Sequence, residues 1–591
     1  MPSPYASVQR RIALISALCV AIGLPTLLAY NLPPSPTALN QALAIGAWGL
    51  VLGVLGWSAA APARWRGLRD PAVPLLLALA SVAAAALGTW LAGNLPSALA
   101  VSAAGVLAVS ALTLAAGAGT AASQAVWLGV FAALLAAGLC STVVGALQVF
   151  GPDAASGSWL ARSGIPGRAV GNLRQPNHLA TLLLWSAVAV VPLLCRPAQH
   201  PARSVGRWAM AALFVFLLLG VVLSGSRTGA LGVAWLVAWG LFDRSLSRFA
   251  RALLLASPLI CLAGNALLSW WASLHNLGAL GMSTRVGEAD ISNARFSIWS
   301  NALALIAEQP WFGVGFGNFN IAWTLTPFLD RNPQFFDHAH NLPLHLAVEL
   351  GVPLALLVVG LLLWGLWQAF VRSRGVPGPE GVARRACFVM VLMMGWHSML
   401  EYPLWYAYFL LPTAFMWGLC LRPHEAAATD PPAAGPRPAP WLAFGGVAMI
   451  VAAAVTLWDY SRVVAIFAPS QDNRATLVER IVEGRHSWFF AHHADYALVT
   501  TIDGAAALPG AFDRAPHFLL DTRLMIAWAN GLAARGDVGR ARHIAARLRE
   551  FRNPGAKDFF APCDGATVAD EPFQCSPPER RYGWRDFLDV K

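Results

Sequence analysis

The sequence predicts an all-α polytopic membrane protein of about 12–13 transmembrane helices, with a long periplasmic loop and a small, mostly helical C-terminal periplasmic domain. Composition is the first reason: 57% of residues are apolar, 12% are charged and mean hydropathy is +0.55, outside the range of soluble globular domains. The second is a long series of apolar runs, each able to cross a hydrocarbon core of about 30 Å. The third is that arginine is concentrated in alternate connections between those runs.

Taken in order, the runs lie at about 12–31, 41–61, 72–91, 97–118, 124–150 and 177–195, then near 205–223, 227–242, 252–272, 344–370, 384–400, 403–421 and 440–458. No small-residue cleavage site follows the first run, which is read as an anchor and not as a removable signal peptide. With the N-terminus inside, the inner connections carry Arg10 and Arg11, then Arg64, Arg66 and Arg69, then Arg196, Arg203 and Arg207. They continue with Arg244, Arg248 and Arg251, then Arg372, Arg374, Arg384 and Arg385. The connection near 119–123 is neutral, and the outer connections near 32–40 and 92–96 have no Arg or Lys. The run at 227–242 is short and begins on an arginine, but the later basic connections stay inside only if it is counted as a span.

A net charge of +11 and a pI near 9.7 do not point to nucleic acid. The positive residues are nearly all arginines in short connections, the first lysine is Lys557, and no basic arm exists to follow a phosphate backbone. The bilayer itself is the implied partner of the charge pattern.

Three polar segments fall outside: 151–176, 273–343 and everything after 458. The expected organisation is a transmembrane catalytic domain over 1–421, with 151–176 and 273–343 carrying the site. A cytoplasmic Pro/Ala-rich linker containing PPAAGPRPAP comes next at 422–439, then a last span at 440–458 and a C-terminal periplasmic domain over 459–591. Within the last, Thr522 to Phe551 reads as two amphipathic helices joined at Gly536-Asp537, the shape of a single tetratricopeptide-like hairpin. Cys19, Cys140, Cys195, Cys261, Cys387 and Cys420 lie in runs or at their ends, where they serve as small apolar residues. Only Cys563 and Cys575 fall in an exported, oxidising segment, and they are expected to form a disulfide; a metal site is the weaker reading because neither belongs to a CxxC pair.

Chemistry is sought where charge meets the membrane boundary, since an arginine held in a span costs on the order of 3 kcal/mol. Arg227 in SGSRTG and Arg295 in NARFSIW stand out. Guanidinium groups make bidentate hydrogen bonds to phosphate oxygens, so both suit a pyrophosphate; the alternative is that both snorkel to lipid headgroups. A second cluster, AVGNLRQPNHLATLLLW, places Arg174, Gln175, Asn177 and His178 at the entrance to a span, behind Arg162 and Arg168. It reads either as a binding site for sugar hydroxyls or phosphates or as a plain helix cap. The third, FFDHAHNLPLHLAVELG, crowds Asp337, His338, His340, Asn341, His345 and Glu349 before another span. Histidine is suited to taking a proton from a hydroxyl near neutral pH. A metal bound through His338, His340 and Asp337 is the weaker alternative, since no third strong ligand is spaced to complete it, and His486, His492 and His493 do not supply one. GVGFGNF at 313–319 comes after Pro310-Trp311 in a polar segment and not a strand, so it reads as a turn and not a dinucleotide loop.

In this order, SGSRTG, an arginine shortly before Ile298-Trp299, P-x-x-GVG-x-GNF, and HAHN followed after an interval by Gly351 resemble the O-antigen ligase and polymerase superfamily. RQPNHLA and the downstream HSMLEYPLWYAYF, from His397 to Phe409, resemble its PglL-type bacterial protein O-oligosaccharyltransferases. The resemblance covers roughly 160–420 and extends to the C-terminal region. It implies transfer of a glycan preassembled on undecaprenyl pyrophosphate to a hydroxyl of an exported acceptor, such as a pilin-like protein, at the periplasmic face of the bacterial inner membrane. No metal or other cofactor is implied. Arg227 and Arg295 would hold the pyrophosphate and His340 would activate the acceptor. Arg174, Gln175, Asn177, His178, His338 and Asn341 would contact substrate, and Glu401 beside Tyr402 would orient a base or acceptor. One departure is Leu354, where the ligase pattern often has Gly, Thr or Tyr; it weakens a lipopolysaccharide-ligase reading. The rivals are a ligase acting on lipid A-core and a polymerase extending the glycan, which share the donor. A transporter is the alternative of another class, but neither an internal repeat nor midplane charge pairs are seen.

Overall fold

The structure is a computed structural model that describes residues 4–57, 70–120, 124–155, 157–195, 203–285, 290–329, 331–422, 439–518, 520–564 and 571–588. Arg64, Arg66, Arg69, Arg196, residues 121–123 of the neutral connection and residues 423–438 of the Pro/Ala-rich stretch lie outside the described residues.

The described chain is helical throughout, as its apolar composition requires: a backbone in hydrocarbon must satisfy its polar groups within its own segment. Ten helices among the described residues are long and apolar enough to cross a membrane, fewer than the 12–13 expected. Two expected spans form shorter apolar helices, Arg227–Phe242 and Ala407–Leu421. The run expected at 384–400 falls on Gly378–His397, whose early turns carry Glu380, Arg384 and Arg385. Those charges are neutralised internally. Arg384 donates to Glu380 Oε1 at 2.7 Å and to the Arg422 carbonyl at 2.7 Å, and Arg385 pairs with Asp243 at 2.6 Å. The run expected at 344–370 is broken at Gly351 into Leu342–Leu350 and Val352–Arg374. Gly351 has φ +77°, and a Cβ there would meet the Trp311 carbonyl oxygen at 2.3 Å, so the break depends on glycine.

The chain folds as two compact units. The first comprises Met1–Leu77, Ala108–Glu288 and Leu361–Ala454. Its centre is the helix Pro176–Leu194, apolar all round and buried over most of its length against Gln124–Phe150, Arg203–Ser224 and Gly378–His397. Small residues let the backbones approach: a Cβ on Gly117 would lie 2.2 Å from the Phe415 carbonyl oxygen, and one on Gly418 2.2 Å from that of Leu114.

The second unit comprises Ala78–Leu107, Ala289–Gly360 and Val455–Lys591. Its core joins Phe319, Trp323 and Leu325 to Met525, Trp528, Leu548 and Phe551. The last four belong to a helical hairpin, Thr522–Ala534 and Val538–Phe551, which turns through Arg535 to Asp537 where the sequence placed the joint. Arg331, 5% exposed, pairs with Glu550 at 2.9 Å and donates to the Trp323 carbonyl at 2.9 Å, while His543 Nε2 lies 2.8 Å from the Leu325 carbonyl oxygen. The end of the helix Val73–Leu91 is drawn in as well, since the Phe316 amide donates to Thr89 Oγ1 at 3.2 Å. At the far end, buried Asp459 accepts from Ser487 Oγ and from the Trp488 and Phe489 amides, tying the helix Pro440–Phe467 to the turn that precedes Ala491–Thr501. Segments from 290–343 and from beyond 458 therefore share one core. Cys563 and Cys575 form a disulfide.

Candidate functional site

In the first unit the RQPN segment opens the central helix. Gln175 is its N-cap, accepting the His178 amide at 2.7 Å, and Pro176 takes the first helical position, where a missing N–H costs nothing. Arg174 has φ +57° and spends its guanidinium on the carbonyls of Pro36, at 3.3 Å, and Ala29. Gln175 and Arg174 thus have structural partners in this unit, in keeping with the cap reading of the cluster. Asn177 faces other elements. It accepts the Ser226 hydroxyl on Oδ1 at 2.6 Å and donates from Nδ2 to Glu401 Oε1 at 3.0 Å. His178 is buried, with the rings of His397, Tyr406, Tyr408 and Phe409 edge-on to it at 4.6–6.2 Å. Tyr402 stacks beside Tyr406 at 6.1 Å.

Ser226 is also the N-cap of the helix that begins with Arg227, accepting the Gly229 amide at 2.9 Å. The turn before it is held by buried Arg168, which donates from Nε to the Ser224 carbonyl at 3.0 Å and from Nη2 to that of Gly225 at 3.2 Å. Gly225 has φ +59°, and a Cβ there would stand 2.5 Å from the Gly281 carbonyl oxygen. Arg227 is half-buried at the first helical position, where the helix dipole disfavours a cation. The cap role of Ser226 was legible as a serine before an apolar run. That of Arg168 was not, because its partners are 56 and 57 residues away.

In the second unit the HAHN segment is a turn leading into Leu342–Leu350. Asn341 caps that helix, accepting the Leu344 amide at 3.0 Å, and His340 before it has φ +50°, a left-handed conformation that costs a non-glycine residue about 1–2 kcal/mol. His340 is half-buried, with its ring edge-on to Phe336 at 5.5 Å. His338 Nδ1 lies 2.8 Å from Asp337 Oδ1. Desolvation raises the Asp337 carboxyl, but the charge and hydrogen bond of His338, with the charge of His340, outweigh it and hold the group at about 2. His345 is buried below, accepting the Ala339 amide on Nδ1 at 3.4 Å, with Nε2 3.6 Å from Glu349.

Two neighbours fix this turn. GVGFGNF lies along the end of Leu342–Leu350, with the Val314 and Gly315 amides donating to the Val348 and Glu349 carbonyls at 2.8 and 3.0 Å and the Phe319 amide to Glu349 Oε1 at 3.3 Å. It is a turn, as its context suggested. Trp299 Nε1 donates to the Ala339 carbonyl at 3.0 Å, bringing the helix Asp290–Glu308 against HAHN. Arg295 is half-buried one turn before Trp299 and shares its face of the helix. The structure thus brings the Arg295 helix and the His340 turn together in the second unit, and Asn177, Ser226 and Glu401 together in the first. Among the described residues no group of three or more His, Cys, Asp or Glu is arranged to hold a metal ion.

Three family models cover these segments. The one described as O-antigen ligase matches residues 212–359, virulence factor membrane-bound polymerase, C-terminal, matches 385–554, and protein glycosylation ligase matches 169–194. Over these residues the chain is similar to the O-antigen ligase superfamily. It is also 29% identical over 293 residues to a general O-oligosaccharyltransferase of Acinetobacter baylyi, covering 46% of this chain and 49% of the relative. It is 24% identical over 269 residues to a ComP-specific O-oligosaccharyltransferase of the same organism, covering 44% and 45%. The chain thus spans about half the length of the curated relatives it matches.

Proposed function

We propose that this chain is an oligosaccharyltransferase of the bacterial inner membrane, moving a preassembled glycan from undecaprenyl pyrophosphate to a Ser or Thr hydroxyl of an exported protein at the periplasmic face. The observation that carries the reading is the hydrogen bond from Trp299 to Ala339, which sets an arginine-bearing helix face beside a histidine turn within a superfamily whose matched relatives are named as O-oligosaccharyltransferases.

In this reading His340 takes the proton from the acceptor hydroxyl, whose oxygen attacks the anomeric carbon. The bond from that carbon to the phosphate oxygen breaks, its electron pair leaving with undecaprenyl pyrophosphate. Arg227 and Arg295 are each assigned a phosphate-holding role, stabilising charge that grows on the leaving group. A single displacement inverts the anomeric configuration.

The test compares the glycopeptides of exported proteins, by mass spectrometry, from cells with and without this gene. Loss of glycopeptides is expected; loss of O-antigen attachment or chain extension with glycopeptides unchanged would overturn the protein acceptor.

A further inference from the structure

A cavity of about 380 Å³ lies wholly within the second unit, at the small end of the range for small-molecule pockets, about 300–1,000 Å³. One wall is the turn Gly93–Ala98, which joins the candidate spans Val73–Leu91 and Ser97–Gly119, so the cavity stands at the membrane boundary. The other wall comes mostly from the C-terminal region. None of its residues has a part in the chemistry assigned above.

Its polar groups are oriented from behind. Asp495, whose side chain is 1% exposed, accepts Arg514 Nε at 2.6 Å and Nη2 at 2.9 Å, which fixes the guanidinium and leaves Nη1 without a partner among the described residues. His517 Nδ1 lies 3.2 Å from Asn318 Oδ1, and Asn318 Nδ2 already donates to the Val314 carbonyl at 3.2 Å. With the amide so assigned, His517 Nδ1 is the donor and Nε2 is left as an acceptor. His492, 8% exposed, also lines the cavity. Arg535 adds a second guanidinium and exposed Asp513 a second acceptor.

Aromatic rings line the same space. Phe512 packs face to face on Trp528 at 5.5 Å and His492 on Phe518 at 3.5 Å, while Trp488 leaves 60% of its surface exposed. Donors and acceptors interleaved with rings match a pyranose, whose hydroxyls both donate and accept and whose C–H faces are apolar. An extended polypeptide would seek unpaired strand edges, and no strand occurs among the described residues.

We infer that this cavity is a saccharide-binding site, in which Trp488 stacks on a sugar ring and Arg514, His517 and Arg535 hydrogen-bond its hydroxyls or a carboxylate substituent. It rests on the proposed function only for the source of the sugar, a glycan tethered to the bilayer.

The experiment is saturation-transfer NMR on the full-length protein in detergent micelles, with free N-acetylglucosamine, galactose, lactose and glucuronic acid as probes. Ring-proton saturation is expected for at least one probe. Trp488→Ala and Arg535→Ala, both altering exposed side chains, should weaken binding by about tenfold. His340→Ala should leave the signal as in the unaltered protein. No signal from any probe, equal signals in both variants, or displacement of the sugar by an acceptor polypeptide would overturn the inference. Binding is read without turnover, so a chain that binds sugar and transfers none would sink the proposed function alone, and one that transfers glycan without a sugar signal would sink this inference alone.

Discussion

Asn177 donates from Nδ2 to Glu401 Oε1 across 3.0 Å, joining residues 224 apart in the chain. With its other amide atom it accepts the hydroxyl of Ser226, the cap of the helix on which Arg227 is first. The chain Glu401, Asn177, Ser226 therefore holds the backbone from which Arg227 projects, and we propose Glu401 and Asn177 as positioning residues for it.

Glu401→Gln keeps an acceptor for Asn177 and should retain most transfer, whereas Glu401→Leu and Asn177→Leu should lower kcat/KM by up to about 10², the cost of a small misplacement of a reacting group's partner. Ser226→Ala removes the cap and should destabilise by about 1 kcal/mol. Steady-state kinetics with thermal unfolding separates the two effects. Equal activity of the Gln and Leu variants would dismiss the positioning role.

Arg227→Lys and Arg295→Lys preserve charge but lose the planar fork that grips two phosphate oxygens. Both variants should insert and fold normally yet transfer poorly, as followed by in vitro glycan transfer. Wild-type turnover in both would favour headgroup anchoring instead.

His340→Ala should cost about 10²–10⁴ in rate with donor binding retained, as removal of a general base does. His338 is the informative control, because Asp337 stands 2.8 Å from its Nδ1 in the manner of a carboxylate that orients a base. If His338→Ala were the slower variant over pH 6–8, the base would be reassigned to His338.

Stability of the full-length protein should fall as pH drops from about 6.5 toward 4. Burial lowers the imidazoles of His517 and His543 to about 4, below an unfolded value of about 6.5. Between those values the unfolded chain binds more protons, so the stabilisation is complete above 6.5 and is lost as pH falls. Thermal unfolding followed by tryptophan fluorescence at pH 7, 5.5 and 4.5 checks this, and His543→Gln should flatten part of the slope.

A reporter fused after Lys591 should be active in the periplasm and one inserted within 422–439 in the cytoplasm. In the unfolded protein, reduction should expose two further thiols, those of the Cys563–Cys575 bridge. The reverse reporter pattern would break the assigned orientation.

Hydropathy was enough to read the all-helical membrane class, because bilayer insertion is decided by each run's own composition and flanking charge. It did not determine the number of full spans. Gly378–His397 hides its arginines in pairs with Glu380 and Asp243, and Gly351 breaks an apolar run where the Trp311 carbonyl leaves no room for a side chain. Short ordered motifs likewise marked Arg227, Arg295 and His340 as candidates, since unusual residues at a membrane boundary stand out in a linear reading. Tertiary structure alone decided their supports: Arg168 on the SGSR turn, Asn177 between Ser226 and Glu401, and Trp299 on the HAHN backbone. Such hydrogen bonds join segments far apart in sequence, and no local periodicity or propensity encodes which distant carbonyl or carboxylate a side chain will meet.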